Sequence, residues 1–170
     1  FEMGSMCYEV HTTRAVSAQI CRHRSLHFQE FSTRYSDSTV LGKADIPKLR
    51  MQDQTNRQNS TDDCVEQIGE VEYEKLERRL QIHYEDIYAL YGDLLAFGIA
   101  RECARDILPL NTPTKLYISG TIRDIMFYLR VRSGCGTQRE HVRVADEMLE
   151  IFRKELPVIY DAFFCCFPEN

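Results

Sequence analysis

The stretch RHRSLHFQEFSTRY, residues 22–35, decides the interpretation of this chain. Arginine and histidine dominate the stretch, and Glu30 is its only carboxylate. The whole chain carries a formal net charge of -5, so the stretch is a dense basic cluster within an acidic protein. Guanidinium groups bind phosphate oxygens in a bidentate geometry. The cluster therefore predicts a pocket for a small, multiply charged anion such as a nucleotide phosphate, rather than a general nucleic-acid surface.

Length and composition are typical of one globular domain. The chain has 170 residues, of which 44% are hydrophobic and 28% are charged. No apolar run approaches the roughly 20 residues that a membrane-spanning helix needs. The sequence begins at Phe1, inside a strand-like pattern and without an initiator methionine, so we interpret residues 1–170 as a single domain that lacks its N-terminal segment. We expect a cytoplasmic protein with no membrane partner.

The seven cysteines predict free thiols rather than disulfides or a metal site. Their number is odd, and no Cys-x-x-Cys pair occurs. Cys165 and Cys166 are adjacent, which suits neither an ordinary disulfide nor a zinc site. Free thiols indicate a reducing compartment.

Hydrophobic periodicity predicts a mixture of strands and helices. A strand over residues 1–13 is followed by a helix over 14–24 and an extended or looped segment over 27–35. The later patterns predict a short strand at 116–118, a helix capped by Thr121, and helices over about 62–97, 99–108 and 138–155.

The longest predicted helix carries an apolar stripe that we expect to pack across the body of the protein or against another subunit. Its members recur every three or four residues: Tyr73, Leu76, Leu80, His83, Ile87, Leu90, Leu94 and Phe97. Because His83 lies in the stripe, we predict a packed core histidine rather than a catalytic group. Gly98 is expected to end or kink the helix.

Residues 36–62 are polar and turn-rich and show no periodicity. A loop of this length in a compact domain is usually functional or disordered, so we predict a flexible loop. Its place directly after the basic stretch leaves two roles open, a lid over the anion pocket or a mobile surface loop.

Arg105 and Arg123 each occur within an otherwise apolar neighbourhood. A buried guanidinium needs an anionic partner, so each is a candidate for binding the anion. The alternative partner is a carboxylate of the chain, Glu102, Asp106 or Asp124. On a helix Arg123 and Asp124 point to different faces, which argues against that pair.

The pattern Arg22-His23-Arg24, then seven residues, then Ser32 resembles the signature of flavin-dependent thymidylate synthases. The resemblance continues through residues 104–110, 119–132 and 138–140, in the order that the family has. It covers nearly the whole chain and is nearest to viral-type members. It implies an α+β fold with a small sheet packed with long helices, and a homotetramer with active sites between subunits.

The resemblance also implies roles for named residues. FAD would be bound by Arg22, His23, Arg24, Thr121, Arg123 and Phe127. The substrate dUMP would be bound by Gln19, Arg22, Glu30, Ser32, Thr33, Arg34, Arg105 and Arg132. Among these, Arg132, Ser32 and Glu30 are the expected catalytic residues. Ser32 has no evident base partner, so we interpret it as a hydrogen-bonding ligand, and Glu30 is expected to order the neighbouring arginines.

The implied reaction methylates dUMP to dTMP, with methylenetetrahydrofolate as the one-carbon donor and NADPH-reduced FAD as the hydride source. Arginine near the uracil carbonyl oxygens would stabilise the negative charge that builds on the ring when C5 is methylated. Nucleic-acid binding is not expected, because the chain is acidic and has no aromatic–basic repeats.

The alternative is a truncated or inactive homologue that retains only nucleotide binding. Thr121 and Gly136 favour it, because many members of the family carry asparagine and histidine in contact with the flavin at these places. His27 and Gln29 also depart from the serine and asparagine that are usual within the motif.

Overall fold

The computed structural model describes residues 1–134 and 136–165. Cys135 and Cys166, which we predicted to be free thiols, lie outside the described residues, as does the side chain of Cys165. The strands are β1 Ser5–Thr13, β2 His27–Glu30, β3 Met51–Gln52, β4 Ser60–Thr61 and β5 Pro113–Thr121. The helices are α1 Arg14–Ile20, α2 Cys64–Ile68, α3 Glu70–Ala96, α4 Arg101–Ala104, α5 Ile122–Arg132, α6 Arg139–Glu155 and α7 Pro157–Tyr160. Short 3-10 turns occupy Ser38–Leu41 and Arg105–Ile107, and a π-helical turn occupies Asp161–Cys165.

The main sheet has three strands in the order β1-β5-β2, and β3 and β4 form a separate antiparallel pair. A small sheet accompanied by long helices confirms the predicted α+β class. The described chain forms two compact units. The first comprises Phe1–Val10, Ala18–Gln29 and the chain from Leu116 onwards, and the second comprises His11–Ser17 and Glu30–Lys115.

In the first unit, α5 and α6 pack against each other and supply most of the core. Thr121 caps α5 as predicted, because its hydroxyl accepts a hydrogen bond from the Asp124 N–H at 3.2 Å. Gly120 precedes the cap, and a Cβ atom there would lie 2.5 Å from Cδ2 of buried Leu26. Only glycine therefore allows Leu26 to approach the backbone this closely.

Helix α1 ends before the basic stretch begins. We predicted a helix over 14–24, but α1 ends at Ile20, and residues 21–26 form consecutive turns that lead into β2. The N–H groups of Arg22 and His23 donate to the carbonyls of Gln19 and Ile20. The chain must change from helix to strand within these six positions, which explains why the motif is not helical.

In the second unit, the predicted long helix is interrupted. Gly69, with φ 82°, separates α2 from α3, because a positive φ cannot continue a right-handed helix. Asp63 is the N-cap residue of the short α2. At the other end Gly98, with φ 78°, follows α3, so the predicted stop is confirmed.

The buried face of α3 differs from the predicted stripe. Tyr88 and Tyr91 are the buried side chains, whereas His83, Leu76 and Leu90 are exposed. The prediction of a packed His83 is therefore wrong. The tyrosines are preferred inside because their hydroxyls accept hydrogen bonds from backbone N–H groups, which a leucine stripe cannot do.

Those hydrogen bonds attach the segment 36–62 to α3 at two points. Tyr91 accepts from the N–H of Ser38 at 3.2 Å, and Tyr88 accepts from the N–H of Ala44 at 2.7 Å. The segment also contains the 3-10 turn and the β3–β4 pair. Its flexibility and its possible function as a lid stay predictions.

Cys7, Cys64 and Cys103 carry free thiols, as predicted for these three positions. Within the described part of the chain, no helix combines the length and apolar character needed to cross a bilayer.

Candidate active site

Arg22 and Arg24 project from the turns that follow α1, and both side chains are exposed. Among the residues that the structure describes, neither guanidinium has a carboxylate within ion-pair distance. Two unneutralised guanidinium groups two residues apart form a site that favours an anion, and phosphate oxygens match their geometry.

His23, between them, points to a different partner. Its Nε2 accepts a hydrogen bond of 2.7 Å from Nε of Arg132, the last residue of α5. Burial lowers the pKa of His23, and the adjacent Arg132 lowers it further, so the imidazole is neutral and can accept. Arg132 is thus held through Nε, and its two terminal nitrogens have no partner among the described residues.

Gln19 belongs to the same unit and is held by two side chains. Its Nε2 donates to Oε1 of Gln138 at 2.6 Å, and its Oε1 lies 3.4 Å from Nδ1 of His141. His141 is a residue that sequence reasoning missed. The signal was present, because His141 lies in the helical stripe of Ala145, Met148 and Phe152, all of which are buried.

The first turns of α5 carry the other predicted flavin residues. Nε of Arg123 lies 2.5 Å from Oε1 of Glu2, and the Arg123 side chain is 52% exposed. The expectation of a buried Arg123 is therefore wrong, because the helix turns it away from Ile125 and Leu129, which are buried. Phe127 lies one turn further along the helix and is also 52% exposed, so its ring is available to a ligand.

The hydroxyl of Thr121, a predicted flavin ligand, contacts Asp124 at the start of α5. It accepts from the Asp124 N–H and donates to Oδ2 of the same residue at 2.5 Å. The hydroxyl is therefore already engaged in capping α5 and has little remaining capacity for the flavin.

In the second unit, Thr33 joins two arginines that lie far apart in sequence. Its hydroxyl accepts from Nη1 of Arg14 at 2.7 Å and from Nη1 of Arg105 at 3.2 Å, and Thr33 is 2% exposed. Nε of Arg105 lies 3.9 Å from Asp106, whose side chain is largely exposed, so this ion pair is weak. Arg14 was missed by sequence reasoning, because nothing in its spacing distinguishes it from a surface arginine.

We predicted that Glu30 contacts the neighbouring arginines, and the structure shows other partners. Its Oε1 accepts from the hydroxyl of Ser17 at 2.8 Å and from the hydroxyl of Thr114 at 2.9 Å. Among the described residues it has no arginine partner. Two neutral donors satisfy the carboxylate, which leaves Arg14 and Arg105 with net positive charge.

Ser32 and Arg34 line one open pocket together with Tyr35, Ala100, Arg101 and Glu102. The Ser32 carbonyl accepts from the N–H groups of Tyr35 and Ser36, which forms the turn that displays Arg34. Nη2 of Arg34 lies 2.8 Å from Glu102, and both side chains are more than half exposed. No base contacts the Ser32 hydroxyl within the described residues, which agrees with its interpretation as a ligand rather than a nucleophile.

The predicted site residues therefore fall into groups that belong to different units. The first unit contains Gln19, Arg22, His23, Arg24, Thr121, Arg123, Phe127 and Arg132. The second contains Glu30, Ser32, Thr33, Arg34 and Arg105, with Arg14 added by the structure. Each group is rich in guanidinium groups, and phosphate or carbonyl oxygens are the ligands that such groups bind.

A protein-family model described as thymidylate synthase complementing protein matches residues 1–158 of the chain. A relative from Paramecium bursaria Chlorella virus 1, named probable flavin-dependent thymidylate synthase, is 47% identical over 165 residues, which are 95% of this chain and 72% of the relative. A flavin-dependent thymidylate synthase of Synechocystis sp. is 45% identical over 160 residues, which are 94% of this chain and 71% of the relative. The viral relative confirms the predicted likeness to viral members.

Two solved structures share the fold. Both are of a UMP/dUMP methylase, PolB, from Streptomyces cacaoi, bound with 5-Br dUMP or with 5-Br UMP. The first matches with a TM-score of 0.74 and 28% identity over 94% of this chain and 70% of its own. The second matches with a TM-score of 0.76 and 28% identity over 94% of this chain and 72% of its own.

Proposed function

The chain belongs to the thymidylate synthase complementing protein family, and on that premise we propose that it is a flavin-dependent thymidylate synthase that methylates dUMP to dTMP. The observation that carries the proposal is the identity of 45% and 47% with relatives of that name over almost the whole chain. The bound uridylate analogues in the PolB structures support a pyrimidine nucleotide as the substrate.

The substrate residues of the proposal are those that the family resemblance implies, and they occur in both units. In the first unit they are Gln19, Arg22 and Arg132, and in the second they are Glu30, Ser32, Thr33, Arg34 and Arg105. We add Arg14, because it shares the Thr33 hydroxyl with Arg105. Arg22 and Arg132 have no carboxylate partner among the described residues, and such guanidinium groups suit a dianionic phosphate.

Arg132 is the residue that we propose for stabilising the reacting ring. The neutral His23 holds it at Nε and leaves the terminal nitrogens in a set direction. A fixed cation near the uracil carbonyl oxygens lowers the energy of the charge that builds when C5 is methylated. Ser32 and Glu30 complete the proposed catalytic group as polar residues that orient the nucleotide.

The exposed residues of the first unit fit FAD. Arg22 and Arg24 carry unneutralised charge for a pyrophosphate, and the half-exposed ring of Phe127 offers a surface for an aromatic ring. His23, Thr121 and Arg123 are the other proposed FAD residues. When bound, FAD supplies hydride chemistry, and the chain supplies binding and orientation.

The co-substrates and the assembly are parts of the same proposal. We propose NADPH as the reductant, methylenetetrahydrofolate as the one-carbon donor and a cytoplasmic homotetramer in which the residues of one site come from different subunits. The exposed apolar side chains of α3, Leu76, Ile82 and Leu90, support an assembly because a second copy would cover them.

The alternative, a homologue that only binds nucleotides, has one observation in its favour. The Thr121 hydroxyl is occupied by Asp124, so this side of the flavin site has one donor fewer than a free side chain would provide.

An omission series tests the proposed function against that alternative. The chain is incubated with FAD, NADPH, methylenetetrahydrofolate and dUMP, and dTMP is measured by chromatography while each component is left out in turn. We expect dTMP only in the complete mixture. Nucleotide binding without dTMP in the complete mixture would establish the alternative.

A further inference from the structure

A chain of hydrogen-bonded side chains lies behind Gln19 in the first unit. The Tyr128 hydroxyl is 3.0 Å from Nε2 of His141, and Nδ1 of His141 is 3.4 Å from Oε1 of Gln19. Nε2 of Gln19 donates to Oε1 of Gln138, whose Nε2 donates to Oε2 of Glu140 at 2.8 Å. Tyr128 is 2% exposed and His141 is 0% exposed, so one end of the chain is fully inside the protein.

The carboxylate of Glu140 sets the direction of every hydrogen bond in this chain. A carboxylate only accepts, so the amide nitrogen of Gln138 must face it. The Gln138 oxygen then faces Gln19, which must present its own nitrogen there and its oxygen to His141. His141 must consequently carry its proton on Nδ1, and its bare Nε2 must accept from the Tyr128 hydroxyl.

The surroundings of His141 keep it in the neutral form that this direction requires. Burial lowers the pKa of His141 to about 4, and Arg132 and His23 lower it in the same sense. A neutral imidazole has one donor and one acceptor nitrogen, and both are used here. Tyr128 also packs edge-on against His23, with ring centroids 4.8 Å apart.

We propose that Tyr128, His141 and the Gln138–Glu140 pair are positioning residues that lock the Gln19 amide, so that its remaining Nε2 hydrogen is offered to an acceptor oxygen of the nucleotide. This inference rests on the proposed function, which makes Gln19 a ligand of dUMP. Of the two Nε2 hydrogens, one is used by Gln138, and no described residue takes the other. A flipped amide would offer an oxygen instead and repel the same acceptor.

Tyr128→Phe tests this role with a minimal change. Without the hydroxyl, Nε2 of the buried His141 loses this hydrogen bond, so the imidazole and the Gln19 amide that it contacts are held less firmly. We expect dUMP, titrated into the FAD-loaded protein, to bind roughly threefold to tenfold more weakly, the range of one neutral hydrogen bond. Tyr8→Phe is the matched control, because Tyr8 is also a buried tyrosine of this unit and its hydroxyl contacts only the sulfur of Met6 among the described residues.

A double-mutant cycle separates positioning from general damage. In a Gln19→Ala background, Tyr128→Phe should change dUMP affinity by less than twofold, because the group through which it acts is absent. An equal loss in both backgrounds, or no loss in the wild-type background, would overturn the proposal. His141→Asn and His141→Leu add a second comparison. The asparagine amide nitrogen can replace the Nδ1 donor, so we expect it to restore affinity relative to leucine.

The tautomer of His141 gives a test that needs no nucleotide substrate. Nitrogen-15 NMR of the imidazole, assigned with His141→Asn, should show Nδ1 protonated and Nε2 bare in the FAD-loaded protein without dUMP. A proton on Nε2 would contradict the locked amide whatever the enzyme does. If the Nδ1 tautomer is present but the wild-type protein does not bind dUMP, the hydrogen-bond chain is correct. The proposed function, and the nucleotide as the partner of Gln19, would then be contradicted.

Discussion

Nε of Arg132 donates a 2.7 Å hydrogen bond to Nε2 of His23, although the two residues lie 109 positions apart. The contact joins the end of α5 to the centre of the basic motif. It requires a neutral histidine, which burial and the guanidinium itself favour by lowering the pKa of His23. The motif histidine therefore orients a cation, while its arginine neighbours stay exposed.

Arg132→Lys should reduce kcat/KM for dUMP about tenfold to a hundredfold. Lysine keeps the charge but lacks Nε and the planar fork, so it loses the contact with His23 and a directed, charge-assisted hydrogen bond to the nucleotide. Arg143→Lys makes the same exchange on the exposed face of α6 and should leave steady-state kinetics unchanged. Equal kinetics for the two variants would remove Arg132 from the site.

Neutral His141 predicts a loss of stability in mild acid. Its pKa is lowered to about 4 from 6.5, first by burial and then by Arg132 and His23. Below pH 6.5 the imidazole of His141 takes up a proton in the unfolded chain but not in the folded chain. The free energy of unfolding is therefore highest above pH 6.5 and decreases as the pH falls towards 4. The contribution is roughly 3 kcal/mol across that window.

Urea unfolding at several pH values checks this prediction. His141→Asn should show a shallower fall in the free energy of unfolding between pH 6.5 and pH 4 than the wild-type protein does. His27→Asn, at an exposed position on β2, serves as the control and should follow the wild-type curve. Parallel curves for all three proteins would contradict a buried neutral His141.

Arg14→Met should weaken dUMP binding about tenfold, because it removes one of the two guanidinium groups that share the Thr33 hydroxyl. Methionine keeps much of the apolar stem, so the change is mainly one of charge. The loss should shrink as salt is raised, since screening weakens the attraction for the phosphate. Arg57→Met, at an exposed site in the same unit, should have no effect at any salt concentration. A matching loss in Arg57→Met would show that only the net charge matters.

Gly120→Ala should destabilise the protein by about 1 to 3 kcal/mol, because the new Cβ would lie 2.5 Å from Cδ2 of Leu26. Gly92→Ala provides the opposite control. It lies inside α3 with nothing within 4 Å of a new Cβ, so it should stabilise the helix by up to about 1 kcal/mol. Thermal unfolding measures both, and an unchanged melting temperature for Gly120→Ala would show that Leu26 can move aside.

The predictions from sequence succeeded where local rules or the family resemblance applied. Capping by Thr121 and the stop at Gly98 follow from side-chain chemistry and backbone freedom, and the structure confirms both. Spacing on α3 was informative about periodicity but not about the buried face. Tyr88 and Tyr91 are buried instead of the stripe leucines, and their hydroxyls bind backbone N–H groups that are distant in sequence. No local rule anticipates partners so far along the chain.

Prediction of the candidate site also succeeded for some residues and failed for others. The resemblance named Gln19, Thr33, Arg105 and Arg132, but it did not name Arg14, which contacts Thr33, or His141, which contacts Gln19. Those supporting partners, Arg14 and His141 among them, depend on contacts across many positions of the chain. Glu30 lies between Arg24 and Arg34 in the basic stretch, but its partners in the structure are the hydroxyls of Ser17 and Thr114.

The most direct test of the proposed function is an anaerobic single turnover. Enzyme-bound FAD is reduced with NADPH, excess NADPH is removed, and dUMP and methylenetetrahydrofolate are added while the visible flavin absorbance and dTMP are followed together. We expect the absorbance of oxidised flavin to return with one dTMP formed for each flavin reoxidised, since the flavin is the hydride source. Reduced flavin that persists without dTMP, or dTMP that forms while the flavin stays reduced, would contradict a flavin-dependent thymidylate synthase.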